Sequence, residues 1–221
     1  MPASRTNQLL LLGHRGARGL RSIPENSSAA FDRALADGCD GFEFDVRLTA
    51  DGQGVICHDP RFKRFEIAKT SAQELKALAG LHEVLSRYQE RAFLDIELKV
   101  AGSEKITADL LREFPPRRGF VVSSFLPSVL DSVHGEDPSV PLGLICDKNS
   151  QLMWWTKLPV NYVIAHSALV SAALIDQLKT AGKKVFVWTV NTPTQMQRFA
   201  ALGVDGIISD KTEVLCRTIR G

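Results

Sequence analysis

The chain has 221 residues, 44% hydrophobic and 24% charged, proportions of a globular protein that leave out disordered, collagen-like and coiled-coil chains. Its 27 Lys and Arg against 25 Asp and Glu leave a net charge of +2, too slight for the broad basic field of non-specific nucleic-acid binding. DNA and RNA are therefore excluded as expected partners. The first apolar run, Leu9 to Leu12, falls short of the roughly 7 to 15 residues of an export signal's core. No later stretch approaches the roughly 20 apolar residues of a membrane-spanning helix, so a cytoplasmic protein without a transmembrane segment is expected. Cys39, Cys57, Cys146 and Cys216 are scattered with no CxxC pair, which suits reduced packing thiols rather than a disulfide frame or a zinc site.

From residue 9 onward, short runs rich in Val, Ile, Phe and Leu alternate with longer amphipathic segments, the order that builds a parallel sheet. Strands are expected at residues 9–13, 41–46, 93–99, 120–124, 141–146, 162–166, 184–190 and 206–209. Helices fit at 26–37, 72–88, 104–114, 127–133, 149–155, 171–180, 193–202 and 212–219. Pro127 and Pro193 suit first helical turns, and Gly38, Gly182 and Gly203 suit helix ends. After the second strand, Asp51-Gly52 signals a tight turn, so a β-hairpin is expected to carry His58 and Asp59 back toward the end from which Asp45 departs. Eight strand–helix units with no linker favour a TIM-type (β/α)8 barrel, a single domain over residues 1–221 with that hairpin extension and a short insertion. A doubly wound open sheet is the competing architecture, because periodicity does not reveal whether the edge strands meet.

His14 and Arg15 follow the first strand, at what would be the active face of a barrel. In Phe42-Glu43-Phe44-Asp45-Val46 the side chains alternate, so both carboxylates share one face and the phenylalanines the other. Strands of a parallel barrel are covered by helices, so that acidic face belongs to the lumen. Asp95, Glu97 and Lys99 repeat the pattern on the third strand, with Asp95 one layer deeper. Like charges buried side by side need a cation between them, and three carboxylates without clustered cysteines select Mg²⁺ or Ca²⁺. A Glu97–Lys99 ion pair with no metal is the alternative. Three carboxylates and one divalent ion leave a single negative charge, to which Arg15 and Lys99 add two positives, so the site suits an anion. Two imidazoles, His14 and His58, with ordinary pKa about 6.5, suit proton exchange near neutral pH, as phosphodiester hydrolysis requires.

In order, HRG at 14–16, PENS at 24–27, EFDV at 43–46, DG at 51–52, HD at 58–59, ELK at 97–99, SSF at 123–125, VWTVN at 187–191 and DGIISD at 205–210 resemble the glycerophosphodiester phosphodiesterases across nearly the whole chain. The resemblance implies a TIM-type barrel that hydrolyses small glycerophosphodiesters to an alcohol and sn-glycerol 3-phosphate with Mg²⁺ or Ca²⁺. It makes His14 and His58 the acid/base pair, Glu43, Asp45 and Glu97 the metal ligands, and Arg15 and Lys99 the phosphate contacts. Trp188 and Phe125 would wall the substrate pocket, with core packing as their alternative, and Asn26 would help to start the first helix close to the site. His166 ends a strand but matches no catalytic element of the pattern. The nucleophile is either the neighbouring glycerol hydroxyl or water.

The chain departs from the family after HD, where Pro60-Arg61-Phe62-Lys63-Arg64-Phe65 stands and the insertion is short. A basic-aromatic loop there opens a second reading, a lysophospholipase D-like enzyme that meets a lipid headgroup; the bland reading is a solvated loop. A non-catalytic phosphodiester-binding barrel would require a missing catalytic group, and none is missing.

Overall fold

The computed structural model describes residues 9–221; the expected absence of an export signal bears partly on residues 1–8, outside that range. In chain order the elements are β1 (Leu10–Gly13), α1 (Ser28–Ala36), β2 (Gly41–Leu48), β3 (Gly54–Ile56), β4 (Arg61–Phe62), β5 (Phe65–Glu66), α2 (Leu81–Tyr88) and β6 (Phe93–Leu98). They continue with α3 (Glu104–Glu113), β7 (Phe120–Ser124), α4 (Pro127–Glu136), β8 (Leu142–Cys146), α5 (Asn149–Leu152) and β9 (Tyr162–His166). The last are α6 (Ala172–Thr180), β10 (Lys184–Trp188), α7 (Pro193–Ala201), β11 (Gly206–Ser209) and α8 (Thr212–Arg220).

Strand β1 pairs in parallel with both β11 and β2, so the eight-stranded ring closes on itself and the open doubly wound alternative is excluded. The ring is β1, β2, β6, β7, β8, β9, β10 and β11, and β3 lies outside it, antiparallel to β2 through Val46 and Ile56. That is the hairpin expected from Asp51-Gly52. Two apolar layers result. Leu12, Phe93, Val121, Ile145, Tyr162, Ile164, Phe186 and Ile208 cluster inside the ring. Outside, Phe42 and Phe44 meet Phe31 of α1 and Tyr88 of α2. The Phe31 and Phe42 rings stack at 4.2 Å and Tyr88 meets Phe42 edge-on at 5.0 Å, pairs worth about 0.5–1.5 kcal/mol each beyond their buried area. Packing the phenylalanines outward turns Glu43 and Asp45 inward.

Some boundaries differ from expectation. Helix α1 begins at Ser28, because Ser27 accepts the Ala30 N–H and caps it, while Asn26 lies before the cap at φ 56°. Asn26 is thus freed for the site. The helix expected over 72–88 is regular only from Leu81; Ile56 donates to the Ala79 carbonyl and Val55 bridges Gly80, so β3 draws the preceding backbone into extended pairing. The segment expected as helix over 149–155 is a single α-turn followed by a 3-10 turn, Met153–Thr156. After Pro60, β4 and β5 form a small ladder whose Phe62 and Phe65 turn down onto Val55, Ile67 and Leu75. Lys63 and Arg64 remain outward. Cys39, Cys146 and Cys216 are buried as packing thiols, with Cys39 and Cys216 touching at 3.6 Å. Among the described residues no helix is long and apolar enough to cross a membrane.

Candidate active site

The site grows from the C-terminal ends of the ring strands. His14 is anchored by its N–H to the Ser209 carbonyl, so it stays in register with β11. Arg15 then turns into the left-handed region at φ 50°, a conformation that costs a side-chain-bearing residue about 1–2 kcal/mol. The turn aims its N–H at Glu43 Oε2, 2.9 Å away, and its carbonyl receives the Asn26 N–H at 3.0 Å. These two hydrogen bonds help to offset the strain.

On the sheet, β2 and β6 run side by side with Glu43 opposite Asp95 and Asp45 opposite Glu97. Carboxylate oxygens of Glu43, Asp45 and Glu97 lie within 4.8 Å of one another, and Asp95 sits apart with Oδ1 accepting from the Ser123 hydroxyl. Asp45 Oδ2 accepts from Asn26 Nδ2 at 2.8 Å and lies 3.2 Å from Arg15 Nε, and Lys99 Nζ lies 2.6 Å from Glu97 Oε1 and 3.3 Å from Asp45 Oδ1. Yet Glu43 Oε1 and Asp45 Oδ1 are buried without a hydrogen-bond partner. Burial, then the charges of Asp45, Glu97 and Asp95, push the Glu43 carboxyl well above its ordinary range. Burial and Asp45 likewise raise Glu97 to about 7, against the pull of Lys99. Burial would raise Asp45 too, but Lys99, Arg15 and Asn26 hold it low. The cluster carries more acid than Arg15 and Lys99 offset.

Both imidazoles present Nδ1 to a carboxylate. His14 Nδ1 is 2.7 Å from Asp210 Oδ1, and His58 Nδ1 is 2.7 Å from Asp59 Oδ1. Burial pushes the His14 imidazole below its ordinary value, outweighing Asp210. His58 arrives on the segment after β3, its carbonyl held by Arg47 Nε at 2.8 Å. Beside them stands an aromatic wall, Phe125 edge-on to Trp188 at 5.7 Å, with Lys99 Nζ 5.7 Å from the Phe125 ring centre. Trp188 is fixed by its N–H to the Ile164 carbonyl and backed by His166, which meets it edge-on at 5.4 Å. His166 thus buttresses the wall without lining the cavity.

A cavity of about 110 Å³ is lined by His14, Arg15, Glu43, His58, Glu97, Lys99, Phe125 and Trp188, with Asp95, Ile145, Ile164 and Ile208 also on its walls. Asp45, 1% exposed, lies behind its neighbours. All nine residues singled out from the sequence therefore converge at one end of the barrel. Sequence reasoning left Asp210, Asn191, Arg18 and Glu25 unassigned, although Glu25 ties Arg15 to Arg18 at 2.7 Å each. PENS, VWTVN and DGIISD carried the signal for Glu25, Asn191 and Asp210, and Arg18 had none.

The chain matches the model of the Glycerophosphoryl diester phosphodiesterase family over residues 14–83 and 81–214. It is 30% identical to a glycerophosphodiester phosphodiesterase of Caldanaerobacter subterraneus subsp. tengcongensis, over 96% of this chain and 98% of that protein. An Oleispira antarctica phosphodiesterase, solved in complex with the product sn-glycerol-3-phosphate, superposes with a TM-score of 0.84 at 25% identity, covering 96% of this chain and 97% of the other. A glycerophosphodiester phosphodiesterase from Agrobacterium tumefaciens superposes with a TM-score of 0.84 at 23% identity over 97% of this chain and 100% of the other, a likeness of fold.

Proposed function

This chain belongs to the glycerophosphoryl diester phosphodiesterase family, enzymes that hydrolyse glycerophosphodiesters, and on that premise we propose that it releases sn-glycerol 3-phosphate with a divalent cation and two proton-transferring histidines. The observation that carries the reading is the crowded acid cluster, two of whose buried oxygens accept no hydrogen bond, beside two carboxylate-held imidazoles. All-oxygen donors suit a hard cation, so Glu43, Asp45 and Glu97 would hold Mg²⁺ or Ca²⁺. Bound there, the ion supplies positive charge to the phosphate oxygens and relieves repulsion among the acids.

The chain's own groups do the rest. One histidine takes the proton of the attacking hydroxyl, from the glycerol or from water, and the other gives a proton to the leaving alkoxide. With Nδ1 of each engaged by a carboxylate, Nε2 is the atom through which each ring works. Arg15 and Lys99 face the charge that grows on the non-bridging oxygens, and Trp188 and Phe125 pack the carbon edge of the glycerol.

The test is a coupled assay for glycerol 3-phosphate from glycerophosphocholine and glycerophosphoethanolamine, with a monoacylated lysophospholipid as comparison. Product formation should vanish on chelation and return with Mg²⁺ or Ca²⁺. Full turnover in metal-free enzyme would overturn the metal assignment. A preference for the monoacylated substrate would replace the deacylated class with a lipid one.

A further inference from the structure

Asp210 stands at the end of β11, 196 residues from the histidine it touches, and it reaches His14 only because β1 and β11 pair to close the ring. Its carboxylate is held from several sides. Asn191 Nδ2 donates to Oδ2 at 2.7 Å, Asn191 Oδ1 accepts the Asp210 N–H at 2.9 Å, and Arg18 Nη1 lies 3.3 Å from Oδ1. Arg18 is itself fixed by Glu25, which also grips Arg15. Burial alone would raise the Asp210 pKa, but the hydrogen bond and charge of His14, with Asn191 and Arg18, bring it down to about 2. An ionised carboxylate only accepts, so the proton of that 2.7 Å bond belongs to His14 Nδ1, and the lone pair of a neutral ring lies on Nε2. Nε2 is 3.8 Å from Glu43 Oε2, too far for a hydrogen bond that would tie it up.

We propose that Asp210, clamped by Asn191 and Arg18, is the positioning residue that keeps His14 in the Nδ1–H tautomer with Nε2 free in the cavity. The inference rests on the reading of His14 as a proton-transfer group. The two histidine–carboxylate pairs are not equivalent. The Asp59 side chain is 74% exposed and that of Asp210 only 19%, so water and salt screen the first pair and spare the second. Orientation is thus built into the barrel closure for His14.

The experiment compares wild type with Asp210→Asn, Asp210→Glu and His14→Ala, all metal-loaded, by kcat and KM on glycerophosphocholine and by ring ¹⁵N chemical shifts of His14. Wild type should show Nδ1 protonated and Nε2 bare. Asp210→Asn should lose about 10²-fold or more in kcat, up to the loss of His14→Ala, with KM nearly unchanged, and its ring should become a tautomer mixture. Asp210→Glu should recover part of both. A wild-type ring protonated at Nε2 overturns the proposal whether or not any variant folds, as does Asp210→Asn with wild-type kcat. Full activity in His14→Ala instead sinks the underlying assignment of His14, and the two failures are told apart by that variant alone.

Discussion

Lys99 bears on the choice between a bare ion pair and a metal centre, because its ammonium contacts Glu97 and Asp45 but none of its contacts is with Glu43. Burial disfavours its charge, yet Glu97 and Asp45 raise its pKa, so it stays cationic and still leaves one acid uncompensated. The Lys99 ion pair therefore leaves room for a cation beside Glu43 and does not replace one. Glu43→Gln keeps the shape and removes the charge. A calorimetric metal titration should show affinity for Mg²⁺ or Ca²⁺ falling at least about 10- to 100-fold, the loss that even an outer partner of a ligand causes. The metal-free variant should be no less stable than wild type, since one of several buried like charges is gone. An unchanged titration would remove Glu43 from the ligand set. Residues such as Glu43, Asp45 and Glu97 were legible because strand alternation is local and reports which side chains share a face. Asp210 and Glu25 were not, because nothing near residue 210 states that it meets residue 14.

At the scale of elements, the position of these acids depends on how closely β2 and β6 approach. Gly41 faces Phe93 in that pairing, and a Cβ at Gly41 would sit 1.8 Å from the Phe93 carbonyl oxygen. Backbone cannot step aside as a flexible side chain can. Gly41→Ala should therefore cost at least about 1–3 kcal/mol in chemical denaturation and lower turnover, because strand separation shifts Glu43 and Asp45 against Glu97. Gly135 in α4 meets nothing within 4 Å, so Gly135→Ala is the control, neutral or stabilising by up to about 1 kcal/mol with full activity. Equal effects of the two substitutions would refute the close-approach argument. The same strands show why pattern alone fell short over 72–88. The amphipathic spacing there was real, but β3 needed a partner for its outer edge and took the backbone at Ala79 and Gly80. Competition between a helix and a strand edge is tertiary, and no window of sequence contains both sides of it.

For the whole molecule, the eight-unit rhythm was legible while closure was not, and the residues themselves supplied the link: an acid cluster on neighbouring strands makes sense inside a ring with no outer polar face. A site built from β1, β2, β6, the segments after β3 and β7, and β10 and β11 joins distant parts of the chain, so a ligand that binds only the closed ring stabilises all of it. Binding to the folded state alone adds about 2.7 kcal/mol when the ligand is at 100 times its Kd. For a chain of this size each kcal/mol raises Tm by about 2–4 °C, so saturating Mg²⁺ or Ca²⁺ should lift the midpoint by roughly 5–10 °C over chelated protein. Glu43→Gln should show little of that rise at the same metal concentration. A midpoint indifferent to both ions in wild type would mean that the acid cluster holds neither, and its crowding would then be relieved by shared protons rather than by a cation.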